Sequence, residues 1–150
     1  MLDSRTAEVV TESGIRCSER NTRGIHRGPP ARLPYVQILH IATAADWADA
    51  VAAGEYRVST LGVTIDEEGF IHASTPEQVQ PTASRFYADV PDPLVVLVMR
   101  TETLEDAGVP VRFEDAGNGE LFPHLYAALP VALVDEVRPA AFDDAGTLAF

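Results

Sequence analysis

A chain of 150 residues with 46% hydrophobic content is the size of one domain and has enough apolar mass for a core without disulfides or metal. Its net charge of −12 repels polyanions, which argues against nucleic-acid binding, because that affinity comes largely from cations neutralising phosphates. The sequence has no lysine, so Schiff-base catalysis by lysine and the phosphate-binding lysine of a P-loop are both excluded.

Residues 1–34 hold six of the eleven arginines but only four of the 23 acids, show no apolar period, and include Gly28-Pro29-Pro30. That composition predicts a disordered leader, with residues 35–150 forming a single domain that ends in a short acidic tail after Phe142. The single cysteine, Cys17, has no partner in the chain, and no basic start leads into a long apolar run. A cytoplasmic protein is therefore expected, with no membrane span, since the longest hydrophobic run, Leu94 to Met99, is only strand length.

Val36 to Ile41 is a β-prone run. Thr43 is placed to cap a helix reaching Ala53, with Gly54 closing it and Trp47, Ala50 and Val51 on its inward face. A loop is expected through Tyr56 and Leu61. Gly69 to Ser74 reads as a short strand, and Thr75-Pro76-Glu77-Gln78 matches a capping box. Pro81 is expected to separate one short turn from a second helical piece reaching Ala88.

Leu94 to Met99, apolar on both faces, is the expected central strand, flanked by Val109 to Glu114 and Val131 to Val137. A loop is expected from Asp115 to Pro130, across Phe122-Pro123-His124-Leu125-Tyr126. With no regular β-α-β alternation, the fold class is α+β.

Three histidines lie within the domain, His40, His72 and His124, and only histidine has an unperturbed pKa near neutrality. Arg112 and Glu114 are two apart on a strand and so share a face, where the carboxylate can orient a histidine. Tyr126 is placed to stack on a planar ring or to fill the core. The histidines are far apart in sequence, and there is no His-Glu-x-x-His and no cysteine pair, so no metal is expected. Ser74 follows His72 closely but lies outside any Gly-x-Ser-x-Gly elbow.

Gly69-Phe70-Ile71-His72-Ala73-Ser74 with Gln78, Arg112-Phe113-Glu114, and Phe122-Pro123-His124-Leu125-Tyr126 together resemble the bacterial domain of unknown function 952 family. The resemblance spans Val36 to Pro139. It implies an ADP-ribosyltransferase-like fold, two packed, mostly antiparallel sheets with flanking helices. His72, Glu114 and His124 would then be catalytic, and His40, Tyr126 and Arg112 would bind a cofactor, with NAD the class implied. By this resemblance the protein binds or cleaves NAD or an ADP-ribose-like nucleotide, as an ADP-ribosyl transferase or NAD glycohydrolase would. The alternative is a non-enzymatic module that binds a small ligand or regulates.

Overall fold

Leu94 to Met99 carries no polar side chain on either face, and the computed structural model, which describes residues 35–150, buries both. The expected leader, residues 1–34 with Cys17, lies outside the described residues. Strand β6 (Leu94–Arg100) pairs antiparallel with β1 (Gln37–Thr43) on one side and β10 (Glu136–Phe142) on the other. Beyond β10 lies β11 (Leu148–Ala149). Successive strand residues face opposite ways. Val95, Leu97 and Met99 therefore enter one apolar cluster with Ile38 and Ala42, while Leu94, Val96 and Val98 enter another with Leu39 and Ile41.

Helix α1 (Ala44–Ala53) covers the first cluster and helix α3 (Val79–Phe86) the second. Thr43 caps α1 by accepting a hydrogen bond from the Asp46 N–H at 3.0 Å, and Gly54 ends it at φ +90°. Ala50 is buried as expected, but Val51 is exposed, because the inward face is completed by Trp47. Pro81 does not divide its helix. It lies in the first turn of α3, where the missing N–H has no partner within the helix to lose. The Thr75 N–H donates to the Gln78 side-chain oxygen, and the Gln78 amide donates to the Leu121 carbonyl at 2.9 Å. Gln78 thus ties the turn before α3 to a distant strand.

The expected loop after α1 is structured. Strands β2 (Glu55–Tyr56), β3 (Val58–Thr60) and β4 (Val63–Thr64) lead into a short helix, α2 (Ile65–Glu68), and Tyr56 is almost wholly buried. A second sheet follows, ordered β5-β8-β7, from β5 (Ile71–His72), β7 (Val111–Asp115) and β8 (Leu121–Leu125). Helix α4 (Thr101–Asp106) precedes β7. Strand β8 runs through part of the expected Asp115–Pro130 loop, and Leu129–Pro130 forms β9, paired with β2. Val131–Leu133 winds into a 3-10 turn closed by Val134 N–H to Val131 C=O, and the strand beside β6 starts only at Glu136. The tail after Phe142 is also ordered. β11 folds back on β10, and Leu148 is held at both its N–H and C=O by the Gln80 side chain. The architecture is α+β and its described sheets are antiparallel, with a four-stranded sheet, a three-stranded sheet and two small ladders in place of two simple sheets.

His40 joins the two larger sheets. It is 3% exposed, and its Nδ1–H donates to the His72 carbonyl while Nε2 accepts from the Tyr56 hydroxyl at 3.0 Å. A carbonyl can only accept, so the ring carries its proton on Nδ1 and is neutral. Next to it the backbones of Leu39 and Ser74 exchange two hydrogen bonds of 2.8 Å.

Burial pushes the His40 ring down from 6.5 to about 4, outweighing the hydrogen bond to His72 that favours the charged form. A depressed folded-state value means that its contribution is complete above about pH 6.5 and is lost as the pH falls toward 4. The gap of roughly 2.5 units corresponds to about 3 kcal/mol. Urea unfolding between pH 7 and pH 4 should show a loss of this order that His40→Gln, with a carboxamide that does not titrate, largely removes. An equally steep profile in the variant would refute the assignment.

Candidate functional site

The three-stranded sheet sorts its side chains by the two-residue period of a strand. Ile71, Ala73 and Leu125 turn into the first apolar cluster, so Phe70, His72, Phe122, His124 and Tyr126 must turn the other way. The register sets His72 opposite His124, His124 opposite Arg112, and Glu114 opposite Phe122. Of the six residues expected to form a site, five, His72, Arg112, Glu114, His124 and Tyr126, therefore share one face. His40 does not join them. It faces the core with both ring nitrogens occupied, so the cofactor-binding role expected for it gives way to a structural one.

One carboxylate organises the face. Glu114 Oε2 accepts from His124 Nδ1–H at 2.8 Å and from the Tyr126 hydroxyl. The Tyr126 hydroxyl, and then the His124 donor, hold the Glu114 carboxyl below the usual carboxylate range, and the same bond pushes the Tyr126 hydroxyl up. With Nδ1 committed as donor, a neutral His124 ring carries its lone pair on Nε2. The Arg112 guanidinium lies over the Tyr126 ring, 4.6 Å from its centroid. It makes no ion pair with a carboxylate among the described residues, whereas Arg57, Arg100 and Arg138 are all paired.

Phe70 is the residue that sequence reasoning left out of the site. Its ring stacks on His124 with centroids 4.1 Å apart and meets His72 edge-on at 4.7 Å. This cover explains why His124, on the outward face of its sheet, is only 6% exposed. Its position two residues before His72 was the available clue. Glu68, at the end of α2, was also passed over, and its Oε1 lies 3.3 Å from His72 Nε2. His72 and His124 meet edge-on at 5.1 Å. Burial, and then the charge of His124, lower the His72 ring below its ordinary value against the opposing pull of Glu68.

Ser74 is buried and donates to the Thr82 hydroxyl at 3.2 Å, which fits the start of a helix better than a nucleophile. Among the described residues no three His, Cys, Asp or Glu side chains converge as a metal site. No described helix is long and apolar enough to cross a membrane.

A family model described as "Protein of unknown function (DUF952)" matches residues 41–137, and the chain belongs to that family. The crystal structure of protein CC0527 from Caulobacter crescentus is similar at 32% identity and a TM-score of 0.65, over 75% of this chain and 93% of that one. The solution NMR structure of the same protein is similar at 32% identity and a TM-score of 0.61, over 74% and 90%. No curated protein matches the sequence. These findings support the family and its α+β sheets, but give no support to the ADP-ribosyltransferase likeness.

The coupling between His72 and His124 is measurable. Replacing His124 with Gln removes the charge that disfavours His72 protonation, so the His72 ring should titrate at a higher pH than in the parent protein, by NMR of its ring protons. An unchanged or lower value would show that the rings are not neighbours.

Proposed function

We propose that this member of the family binds a small anionic ligand with a planar ring on the histidine face, and that His124 Nε2 accepts the proton of the hydroxyl or water that attacks it. The observation that carries this reading is the shared Glu114 oxygen. It fixes Nδ1 of His124 as the donor and leaves Nε2 as the basic position, the arrangement by which a carboxylate orients a general base. Glu114, with one oxygen engaged by two donors, acts through His124 and is a positioning residue.

Arg112 supplies the preference for an anion. An arginine without a carboxylate partner among the described residues, in a chain of net charge −12, is a cation available to a phosphate or carboxylate. Tyr126, Phe70 and Phe122 offer apolar ring surface for a flat group. NAD or an ADP-ribose-like nucleotide combines these two features, and this chemical fit, together with the sequence resemblance, is what favours it as the ligand class. In a transfer or glycohydrolase reaction the oxygen of a hydroxyl or water would bond to C1′ of the nicotinamide ribose as the C1′–N bond breaks and nicotinamide leaves with its electron pair, while His124 takes the nucleophile's proton. A non-enzymatic binding module would use the same contacts with no proton transfer.

The test is a thermal-shift titration of the full chain with NAD, ADP-ribose and inorganic phosphate, followed by assay of any ligand that binds. A ligand at about 100 times its Kd stabilises by roughly 2.7 kcal/mol, a rise on the order of 5–10 °C. Arg112→Ala should abolish most of that rise. His124→Asn should keep it and lose any turnover. Equal shifts in the parent and Arg112→Ala would sink the anion reading, and binding without turnover by the parent would favour the module.

A further inference from the structure

Strand β7 is the edge of its sheet. Its even-numbered positions point their backbone groups at β8: the Pro110 carbonyl accepts from the Tyr126 N–H and the Ala116 N–H donates to the Glu120 carbonyl, with Arg112 and Glu114 between them. Backbone groups alternate along an extended chain. Val111, Phe113 and Asp115 therefore turn their N–H and C=O outward, and these have no backbone partner among the described residues. On the other side of the sheet from the histidines, Phe113 and Leu121 stand 41% and 54% exposed. An open edge with apolar side chains beside it is a template for another strand.

We propose that two copies of this chain pair antiparallel through β7, about a two-fold axis at Phe113. The sequence Val111-Arg112-Phe113-Glu114-Asp115 selects both the occupant and the register. Centred on Phe113, the pairing sets Arg112 of each copy directly opposite Glu114 of the other, at non-hydrogen-bonded positions where cross-strand side chains lie closest. Centring on Arg112 instead would oppose two arginines, and centring on Glu114 two carboxylates. The Asp115 carboxylate does not obstruct, because its Oδ1 accepts from the Gly117, Asn118 and Gly119 N–H groups of its own loop.

The two-fold axis stands perpendicular to the joined sheet, so the histidine faces of both copies lie on the same side. Each Glu114 then has Arg112 of the second copy beside it, and each Arg112 the second copy's Glu114, so the two ligand faces meet across an arginine–glutamate seam. The pairing itself rests on edge geometry and charge. Only the reading of those faces as ligand-binding rests on the function proposed above, so loss of the dimer would leave the single-copy reading of His124 standing.

Sedimentation equilibrium of the full chain should give twice the chain mass at micromolar concentration. Phe113→Pro should give a monomer that keeps its circular dichroism spectrum, since an edge strand tolerates proline where the lost N–H faced outward. In a Cys17→Ser background, Phe113→Cys should crosslink fully under mild oxidation, because a hydrogen-bonded antiparallel pair has Cα atoms about 5.5 Å apart, within disulfide range. Leu121→Cys, more exposed but off the axis, should not. A monomeric parent, a dimer that survives Phe113→Pro, or equal crosslinking at both positions would overturn the proposal.

Discussion

A strand shows alternate side chains to opposite faces, and the three-stranded sheet has a core on one face only. Because Ile71 and Leu125 must be buried, Phe70, His72, His124 and Tyr126 are forced together on the other face. A slip of one residue would drive two histidines into the apolar cluster and expose Ile71 and Leu125, at several kcal/mol. Pro123 sits in the middle strand without breaking it. Its carbonyl accepts from the Ala73 N–H at 2.9 Å, so the N–H it lacks would face the same side, beyond the short β5 ladder. The β7 side of β8 loses no hydrogen bond.

The core reaches the surface site through His40. The neutral ring holds the carbonyl of His72, whose side chain lies on the outward face, while the Leu39–Ser74 bridge holds the backbone two residues later. The Tyr56 hydroxyl that completes the His40 shell belongs to β2, which pairs with β9 just after Tyr126. A buried imidazole with no ligand of its own thus fixes the strand that presents His72, and interior polar groups that are fully satisfied give this kind of rigidity.

The α+β class, β1, α1 with both caps and the central strand were legible because each has a local cause: a capping threonine, a glycine at positive φ, an apolar run with no polar interruption. That five of the six candidate residues share one sheet face was legible because motif residues two apart must share a strand face. Strand β8 was not legible, since Pro123 and His124 read as loop, and only pairing on both sides explains an extended chain there. Tyr56 was missed for a related reason. Its burial depends on His40 and Trp47, which lie well before it in sequence. The role of His40 was misjudged because a histidine within an apolar strand looks alike from sequence whether it faces a ligand or a tyrosine.

His72 and His124 have unlike surroundings. His72 is half-exposed beside Glu68, yet burial and the neighbouring ring keep it neutral to a lower pH than usual. His124 is almost covered by Phe70 and is tied to a carboxylate that two donors keep ionised. Under the function proposed above, His72 would contact a ligand while His124, oriented by Glu114, would move the proton. Near neutral pH His72 then adds no positive charge to the face. Arg112, held over Tyr126, is left as its permanent cation, and in the proposed function it would hold an anion without drawing on the proton transfer at His124.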